Sequence, residues 1–408
     1  MSSARDVALE MPRPVPLAAR VLIQWFSRIR SGRMEGQLPD GRRFVIRTGQ
    51  PGPVGELHFH SPAWLLWRAL RRGALGFGES YVAGDWSSPE LGELMTLLAM
   101  NERHLGTAAK PTWFTRAKLL LEHWRNRNTR RRSRRNIEAH YDLGNSFYRL
   151  WLDESMTYSG AVFASSDEDL ASAQQRKYQA LIDQLGIQPG DQVLEIGCGW
   201  GGFAEAAARA GARVTGVTLS QEQLTEAQGR IEQAGLSGLV ALQLLDYREV
   251  DGQYDHVVAI EMLEAVGERY WATFFETLRQ RLRPGGRVGL HGITIHPDYF
   301  EEYRTSPDFI QRYVFPGGML PTAAHLRDYA DHAGLQFRSE DHLGDHYAHT
   351  LARWHQRFLT ALERIREQGF DERFIRIWRY YLAYCEGGFR SERIDLNRMV
   401  LERPTVDR

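Results

Sequence analysis

The chain lacks the features that mark secreted, membrane-spanning and strongly basic proteins. It has only two cysteines in 408 residues, which excludes a disulfide framework and fits a reducing compartment. It contains no apolar run of about 18 residues, so we expect no membrane-spanning helix. Residues 1–22 also lack the basic-then-apolar order of a signal peptide. Together these absences predict a cytoplasmic protein.

An excess of charge of one sign is missing as well. Lys plus Arg and Asp plus Glu both total 51, so the net charge is zero and we expect no nucleic-acid partner. We assign no metal site. Positive charge is nevertheless concentrated locally, because seven arginines fall within residues 125–135. A solvated charged helix explains this run, and so does reversible attraction to the anionic inner surface of the membrane, which we favour.

The length of the chain predicts two domains. Residues 1–16 are polar and contain three prolines, so we expect a flexible N-terminus. Residues 17–115 indicate a small α+β domain with a short antiparallel sheet, suited to lipid binding or docking rather than to catalysis. Residues 116–136 are predicted to form a basic linker helix. Residues 137–408 alternate strands and helices, as a parallel α/β sheet requires.

A glycine-rich turn follows the first strand of that sheet. The sequence Val193-Leu-Glu-Ile-Gly-Cys-Gly-Trp-Gly-Gly joins a strand buried on both faces to a helix, which is the entry to a nucleotide-binding unit. The third glycine comes too early for the dinucleotide pattern, and no phosphate-binding lysine follows. The pattern is typical of S-adenosylmethionine (SAM) methyltransferases with a Rossmann-like fold. We therefore assign these residues to SAM: Glu195, Ile196, Gly197, Cys198, Gly199 and Gly201.

The ends of the next strands add polar side chains at the same edge of the sheet. Thr218, Ser220 and Gln223 follow the second strand, where they are placed to hydrogen-bond a ribose, and Ser220 is also a good helix N-cap. Leu219, between them, is assigned to the SAM site as well. Asp246, Tyr247 and Arg248 follow the third strand, where a carboxylate and an aromatic ring suit adenine. Glu261 and Glu264 come after the fourth strand, at the mouth of the sheet.

Motifs spread over residues 136–393 resemble the cyclopropane-fatty-acyl-phospholipid synthase family. They are His140-Tyr-Asp-Leu-Gly-Asn, Met156-Thr-Tyr-Ser, the glycine turn, Thr218-Leu-Ser-x-x-Gln, Phe315-Pro-Gly-Gly-Met-Leu-Pro, Asp345-His-Tyr and Tyr381-Leu-x-Tyr-Cys-x-x-x-Phe. The resemblance implies methyl transfer from SAM to the double bond of an unsaturated acyl chain in a membrane phospholipid. A carbocation forms, and proton loss from the new methyl closes a cyclopropane ring. The family also often forms homodimers.

The resemblance further implies a bicarbonate ion as the base for proton loss. By position, Glu264, His291 and Tyr347 would hold this ion, with the Ile293 backbone and the Gly160 amide assisting. The same comparison places Tyr158 and Ser159 over SAM.

Two departures from the family pattern leave the product open. Ring-forming members usually have Cys where this chain has Gly160, and His where it has Ala265. A methylene-branched or methyl-branched chain is therefore an alternative to the ring. A lipid-binding homologue without catalytic activity is a second alternative.

Overall fold

The computed structural model describes residues 8–12, 14–106 and 143–405. The predicted linker helix 116–136 and its arginine run lie outside the described residues. Up to residue 106 the elements are β1 (Ala8–Glu10), α1 (Leu17–Phe26), β2 (Arg33–Gln37), β3 (Arg43–Arg47), β4 (Val54–Phe59), α2 (Pro62–Ala83), β5 (Trp86–Ser87), α3 (Leu91–Met100) and α4 (Glu102–Leu105).

From residue 143 onward the chain contains strands, α-helices and short 3-10 turns. The strands and helices are α5 (Asn145–Tyr148), α6 (Leu170–Leu185), β6 (Gln192–Ile196), α7 (Gly202–Arg209), β7 (Arg213–Thr218), α8 (Gln221–Gln233), β8 (Val240–Leu244), β9 (Tyr254–Ile260), α9 (Trp271–Arg281), β10 (Leu282–Ile295), α10 (Pro297–Thr305), α11 (Phe309–Tyr313), α12 (Ala323–His332), β11 (Gln336–His342), α13 (Gly344–Thr360), α14 (Leu362–Glu367), α15 (Glu372–Arg390) and β12 (Ile394–Glu402). The 3-10 turns are Tyr247–Glu249, Leu263–Ala265 and Glu268–Tyr270.

The first sheet has five strands in the order β1-β3-β2-β4-β5. Strands β2 and β3 pair antiparallel, as predicted for this sheet. Strand β4 pairs parallel with β2, so the prediction of a purely antiparallel sheet is wrong. Strand β1 pairs with β3, which gives Ala8–Glu10 a defined place in a segment predicted to be flexible. Edge pairing of this kind depends on a distant strand and cannot be seen in the local sequence.

Helix α2 is interrupted once. Gly73 has φ 58° and ψ −136°, a combination that glycine adopts readily and that breaks the helical path. Pro62 opens the helix, where its missing N–H is not needed, and the preceding Ser61 makes no side-chain capping hydrogen bond. The glycine-rich segment after Gly76 is helical as far as Ala83.

The second sheet carries the predicted glycine turn. Its seven strands have the order β11-β12-β10-β9-β6-β7-β8. Strands β6 to β10 are parallel, as predicted. Strand β12 was not predicted, and it lies antiparallel between β10 and β11. The expectation of a wholly parallel sheet is therefore wrong at this edge.

The predicted burial of the central strand is confirmed. Leu194 and Ile196 pack into the hydrophobic cluster on one side of the sheet, which contains Trp271 and Phe274. Val193 packs into a different cluster with Phe203. Alternate side chains of one strand thus enter two cores, which fixes β6 and the turn that follows it.

The chain divides into two compact units whose limits differ from the predicted domains. The first unit combines the N-terminal residues with Thr305–Val314 and Trp354–Arg393, whereas the second contains the seven-stranded sheet. Residues 137–408 are therefore not one continuous domain. Within the first unit, a Cβ on Gly92 of α3 would lie 2.5 Å from the Glu386 carboxylate of α15, so glycine permits these helices to approach closely. None of the described helices is long and apolar enough to cross a membrane.

Candidate active site

The glycine turn after β6 has a backbone that only glycine adopts easily. Gly197, Gly199 and Gly201 have φ of 81°, 50° and 84°. A Cβ on Gly197 would lie 3.2 Å from the Met262 sulfur, whereas nothing described lies within 4 Å of a Cβ on Gly199. The Gly197 amide donates to the Val217 carbonyl at 2.9 Å, which joins the turn to β7. The turn thus forms a cradle open at Gly199 and closed by Met262.

Glu195 lies at the base of this cradle. It is buried, and its Oε2 has no hydrogen-bond partner among the described residues. Burial raises the pKa of Glu195 to about 8, and the Ala204 amide and Lys177 offset part of this rise. Ile196 and Cys198 are buried beside it. An enclosed carboxyl oxygen without a partner and an open glycine turn fit a ligand that carries positive charge and hydrogen-bond donors, as SAM does.

The loop after β7 is held by its own hydrogen bonds. Thr218 Oγ1 donates to Gln223 Oε1 at 3.0 Å, and the Ser220 amide donates to Thr218 Oγ1 at 3.2 Å. Ser220 caps α8 as predicted, accepting from the Gln223 amide. The three polar residues assigned to the ribose are therefore already paired with one another, which rigidifies the loop around Leu219.

The loop after β8 was predicted to bind adenine, but its Asp246 and Tyr247 side chains already contact other protein residues. The Asp246 carboxylate accepts from Arg248 Nε at 2.8 Å and from Arg248 Nη2 at 2.5 Å. The Tyr247 ring packs edge-on against Phe274 in the core, with centroids 5.5 Å apart, so most of it is not free to stack on a ligand. Even so, both loops line one small pocket, formed by Leu219, Asp246, Tyr247, Arg248, Met262, Ala265 and Val266. This pocket adjoins Met262 and therefore the glycine cradle.

Tyr158 and Ser159 come from the segment before α6. The Tyr158 ring lies 5.5 Å from the Tyr148 ring and 5.4 Å from the Trp151 ring, within an aromatic cluster. Ser159 is buried, and its hydroxyl accepts from Lys177 Nζ at 2.5 Å.

Lys177 is a site residue that the sequence did not reveal. Its side chain is fully buried on α6 and also donates to Gln174 Oε1 at 2.7 Å. Burial lowers the pKa of Lys177 to about 7, although Glu261 opposes this shift. The sequence indicates the burial of Lys177 through its helical spacing, because Lys177 lies on the apolar face of α6 together with Leu170, Ala173 and Leu181.

The five residues assigned to the bicarbonate site come together, but most of them converge on a glutamate of the chain. The Gly160 amide donates to Glu261 Oε1 at 2.7 Å, and the Tyr347 hydroxyl donates to Glu261 Oε2 at 2.5 Å. His291 Nδ1 lies 3.5 Å from Glu261 Oε1. His291 is fully buried, and burial lowers its pKa, which favours the neutral ring. The sequence placed Glu261 at this edge but gave it no role.

Glu264 is held separately, in the short turn after β9. The Ile293 amide donates to Glu264 Oε1 at 2.5 Å, and the Glu264 carbonyl accepts from the Met319 amide at 2.9 Å. Its Oε2 is enclosed and has no partner among the described residues. Burial, and then the charge of Glu261, raise the pKa of Glu264 to about 8. The site therefore contains an acidic group that is held in place and has one oxygen without a hydrogen-bond donor among the described residues.

A seven-stranded sheet with this glycine turn defines a class I SAM-dependent methyltransferase. Residues 128–399 match the family described as mycolic acid cyclopropane synthetase. The chain belongs to this family of SAM-dependent lipid methyltransferases.

Known proteins of related function are similar over most of the chain. Tuberculostearic acid methyltransferase UfaA1 of Mycobacterium tuberculosis is 42% identical over 376 residues, covering 87% of this chain and 85% of that protein. Cyclopropane-fatty-acyl-phospholipid synthase of Escherichia coli K12 is 37% identical over 341 residues, covering 82% and 85%. The crystal structure of mycolic acid cyclopropane synthase CmaA1 with SAH and CTAB superposes with a TM-score of 0.62 at 29% identity, covering 66% of this chain and 98% of that one.

Proposed function

We propose that this protein transfers the methyl group of SAM to the double bond of an unsaturated acyl chain in a membrane phospholipid, and that proton loss then closes a cyclopropane ring. The observation that carries this proposal is the position of the Glu264 carboxyl group. The Ile293 amide holds one of its oxygens, and the other is enclosed and has no hydrogen-bond partner among the described residues. An alkene is a weak nucleophile that needs no deprotonation before it attacks. What it needs is a dry site that stabilises the positive charge left on the chain.

SAM, when bound, supplies an electrophilic methyl group. Glu195 and the glycine turn would hold it, and Glu264 would face the positive charge that develops on the acyl chain. Covalent catalysis has little support here, because Cys198 is buried and its pKa is raised well above the usual value for a thiol.

A branched product is the second candidate. It is favoured by Gly160 and Ala265, which replace the residues usual in ring-forming enzymes, and by the similarity to a protein named tuberculostearic acid methyltransferase. A hydride shift before proton loss from the methyl group would give a methylene branch of the same mass as the ring.

Incubation of the purified protein with SAM and vesicles of dioleoyl phosphatidylglycerol tests both candidates. We expect acyl chains heavier by one CH2 group in the mass spectrum. Ozone cleaves a methylene branch but leaves a cyclopropane ring intact, so treatment of the product separates the two. The absence of any heavier chain would contradict the proposed function.

Docking to an anionic membrane surface is part of the same proposal, because the substrate lies in a bilayer. The first half of α2 exposes Trp64, Trp67 and Leu70, which are 56%, 45% and 52% accessible. The guanidinium of Arg71 lies 4.7 Å from the Trp67 ring centroid. Tryptophan and arginine side by side on an exposed helix suit the interface between anionic headgroups and acyl chains.

Replacing both tryptophans with serine should weaken binding to anionic vesicles by roughly tenfold or more, since two large apolar side chains no longer enter the interface. Co-sedimentation at low and high salt measures this, and salt should weaken wild-type binding further. Phe337→Ser is the matched control, because Phe337 is 46% accessible in the other unit and should leave binding unchanged. Equal binding by the double variant and the wild type would contradict the assignment of this surface.

A further inference from the structure

Glu261 occupies the place expected for an added base. Two donors assigned to a bicarbonate ion, the Gly160 amide and the Tyr347 hydroxyl, each bind one oxygen of the Glu261 carboxylate. The third expected donor, the Ile293 amide, is taken by Glu264. A carboxylate and bicarbonate share the same planar arrangement of two oxygens, so the same donors can serve either one.

The backbone holds Glu261 in this position. Glu261 directly follows β9 and has φ 50°, in the left-handed region that non-glycine residues rarely adopt. Its amide donates to the His291 carbonyl at 2.6 Å, which fixes the end of β9 against β10. The next residue, Met262, lies against Gly197 of the SAM cradle. Such a backbone conformation persists only where the surroundings impose it, and here it turns the carboxylate toward Gly160 and Tyr347.

A bicarbonate ion does not fit this arrangement. Three of the four donors expected for it, the Gly160 and Ile293 amides and the Tyr347 hydroxyl, are engaged by carboxylates of the chain. A further anion would lie beside the Glu261 carboxylate, where like charges repel strongly in a dry site. A side chain at position 160 would require neighbours to shift, because a Cβ there would lie 2.8 Å from Leu396 Cδ2 and 3.0 Å from Tyr347 Cγ. Gly160 therefore permits the position of Tyr347 that binds Glu261.

We propose that Glu261 is the proton acceptor of the reaction, so that the protein carries its own base. This inference rests on the proposed function. The alkene π electrons form the new bond to the methyl carbon as the bond from that carbon to sulfur breaks, leaving a cation on the acyl chain. A C–H bond of the new methyl then gives its electrons to the cationic carbon, and its proton passes to the Glu261 carboxylate. Each Glu261 oxygen accepts one protein hydrogen bond and keeps a lone pair for this proton.

The first test uses the wild-type protein, dioleoyl phosphatidylglycerol vesicles and SAM in buffer freed of carbon dioxide. We expect the rate of product formation to be the same with and without added bicarbonate. In carbon-13 NMR, labelled bicarbonate should show no binding to the wild-type protein. A rate that depends on bicarbonate would overturn the inference while leaving the proposed function intact. No product under either condition would contradict both.

The second test replaces Glu261 with alanine. The rate should fall by about 100-fold or more, as for loss of a general base, while SAM binding by calorimetry is retained. Added formate or bicarbonate should restore part of the rate, and labelled bicarbonate should now bind, because the Glu261 carboxylate no longer occupies the Gly160 amide and the Tyr347 hydroxyl. A Glu261→Ala protein that binds SAM and keeps the wild-type rate would overturn the inference.

Discussion

Replacing Glu264 with glutamine should reduce turnover by about 10²–10³-fold, the range typical of removing one preorganised electrostatic group. Glutamine keeps the shape of the side chain and can still accept from the Ile293 amide, which binds Glu264 at 2.5 Å. It removes the negative charge that would offset the cation on the acyl chain. Because the group is enclosed, water does not screen this loss.

The measurement is the rate of methylated lipid formation by mass spectrometry, together with SAM affinity by calorimetry. Glu268→Gln is a matched control, because Glu268 lies in the same segment but pairs with Arg304 at the surface. The control should retain normal turnover. Near-normal turnover in Glu264→Gln would show that Glu264 does not stabilise the transition state.

SAM affinity should rise steeply with pH up to about pH 8. The pKa values of Glu195 and Glu264 are both raised to about 8, so both carboxyl groups are largely protonated in the free protein at pH 7. SAM brings positive charge, which favours the ionised carboxylates and therefore expels protons on binding. The dissociation constant should fall by up to about tenfold per pH unit for each proton released, and level off above the pKa. Deprotonation of Lys177, whose pKa is lowered to about 7, acts in the same direction.

Calorimetry in two buffers of different ionisation enthalpy measures the proton release directly. Glu195→Gln and Glu264→Gln should each remove part of the release, and the surface variant Glu268→Gln should leave it unchanged. An affinity independent of pH, with no protons released, would contradict the placement of these carboxyl groups around the SAM cradle.

The sequence predicts the elements whose signals are local. Val193, Leu194 and Ile196 form a continuous apolar run that ends at glycines, and this combination specifies a buried strand and its turn. Strand β12 is different, because its place in the sheet depends on pairing with β10 and β11, which lie far from it in the sequence. The same holds for Trp354–Arg393, which lies between two strands of the second unit in sequence but joins the first unit through long-range packing.

In the candidate site, too, some features follow from the local sequence and others depend on long-range packing. The resemblance to a known family predicts that Gly160, His291 and Tyr347 lie close to one another, and the structure places all three around one carboxylate. The sequence does not show that this carboxylate belongs to Glu261, because the position of its side chain depends on the positive φ of Glu261, directly after β9. The burial of Lys177 depends likewise on the segment that contains Ser159, which covers α6.

Reaction with SAM labelled as CD3 tests the central claim most directly, since it follows both the methyl group and the proton it loses. The purified protein is incubated with labelled SAM and dioleoyl phosphatidylglycerol vesicles, and the acyl chains are weighed by mass spectrometry. We predict chains that have gained CD2, because one deuteron leaves the transferred methyl for the base. Chains that retain all three deuterons would contradict proton loss from the methyl group, and unlabelled chains would contradict methyl transfer to the lipid.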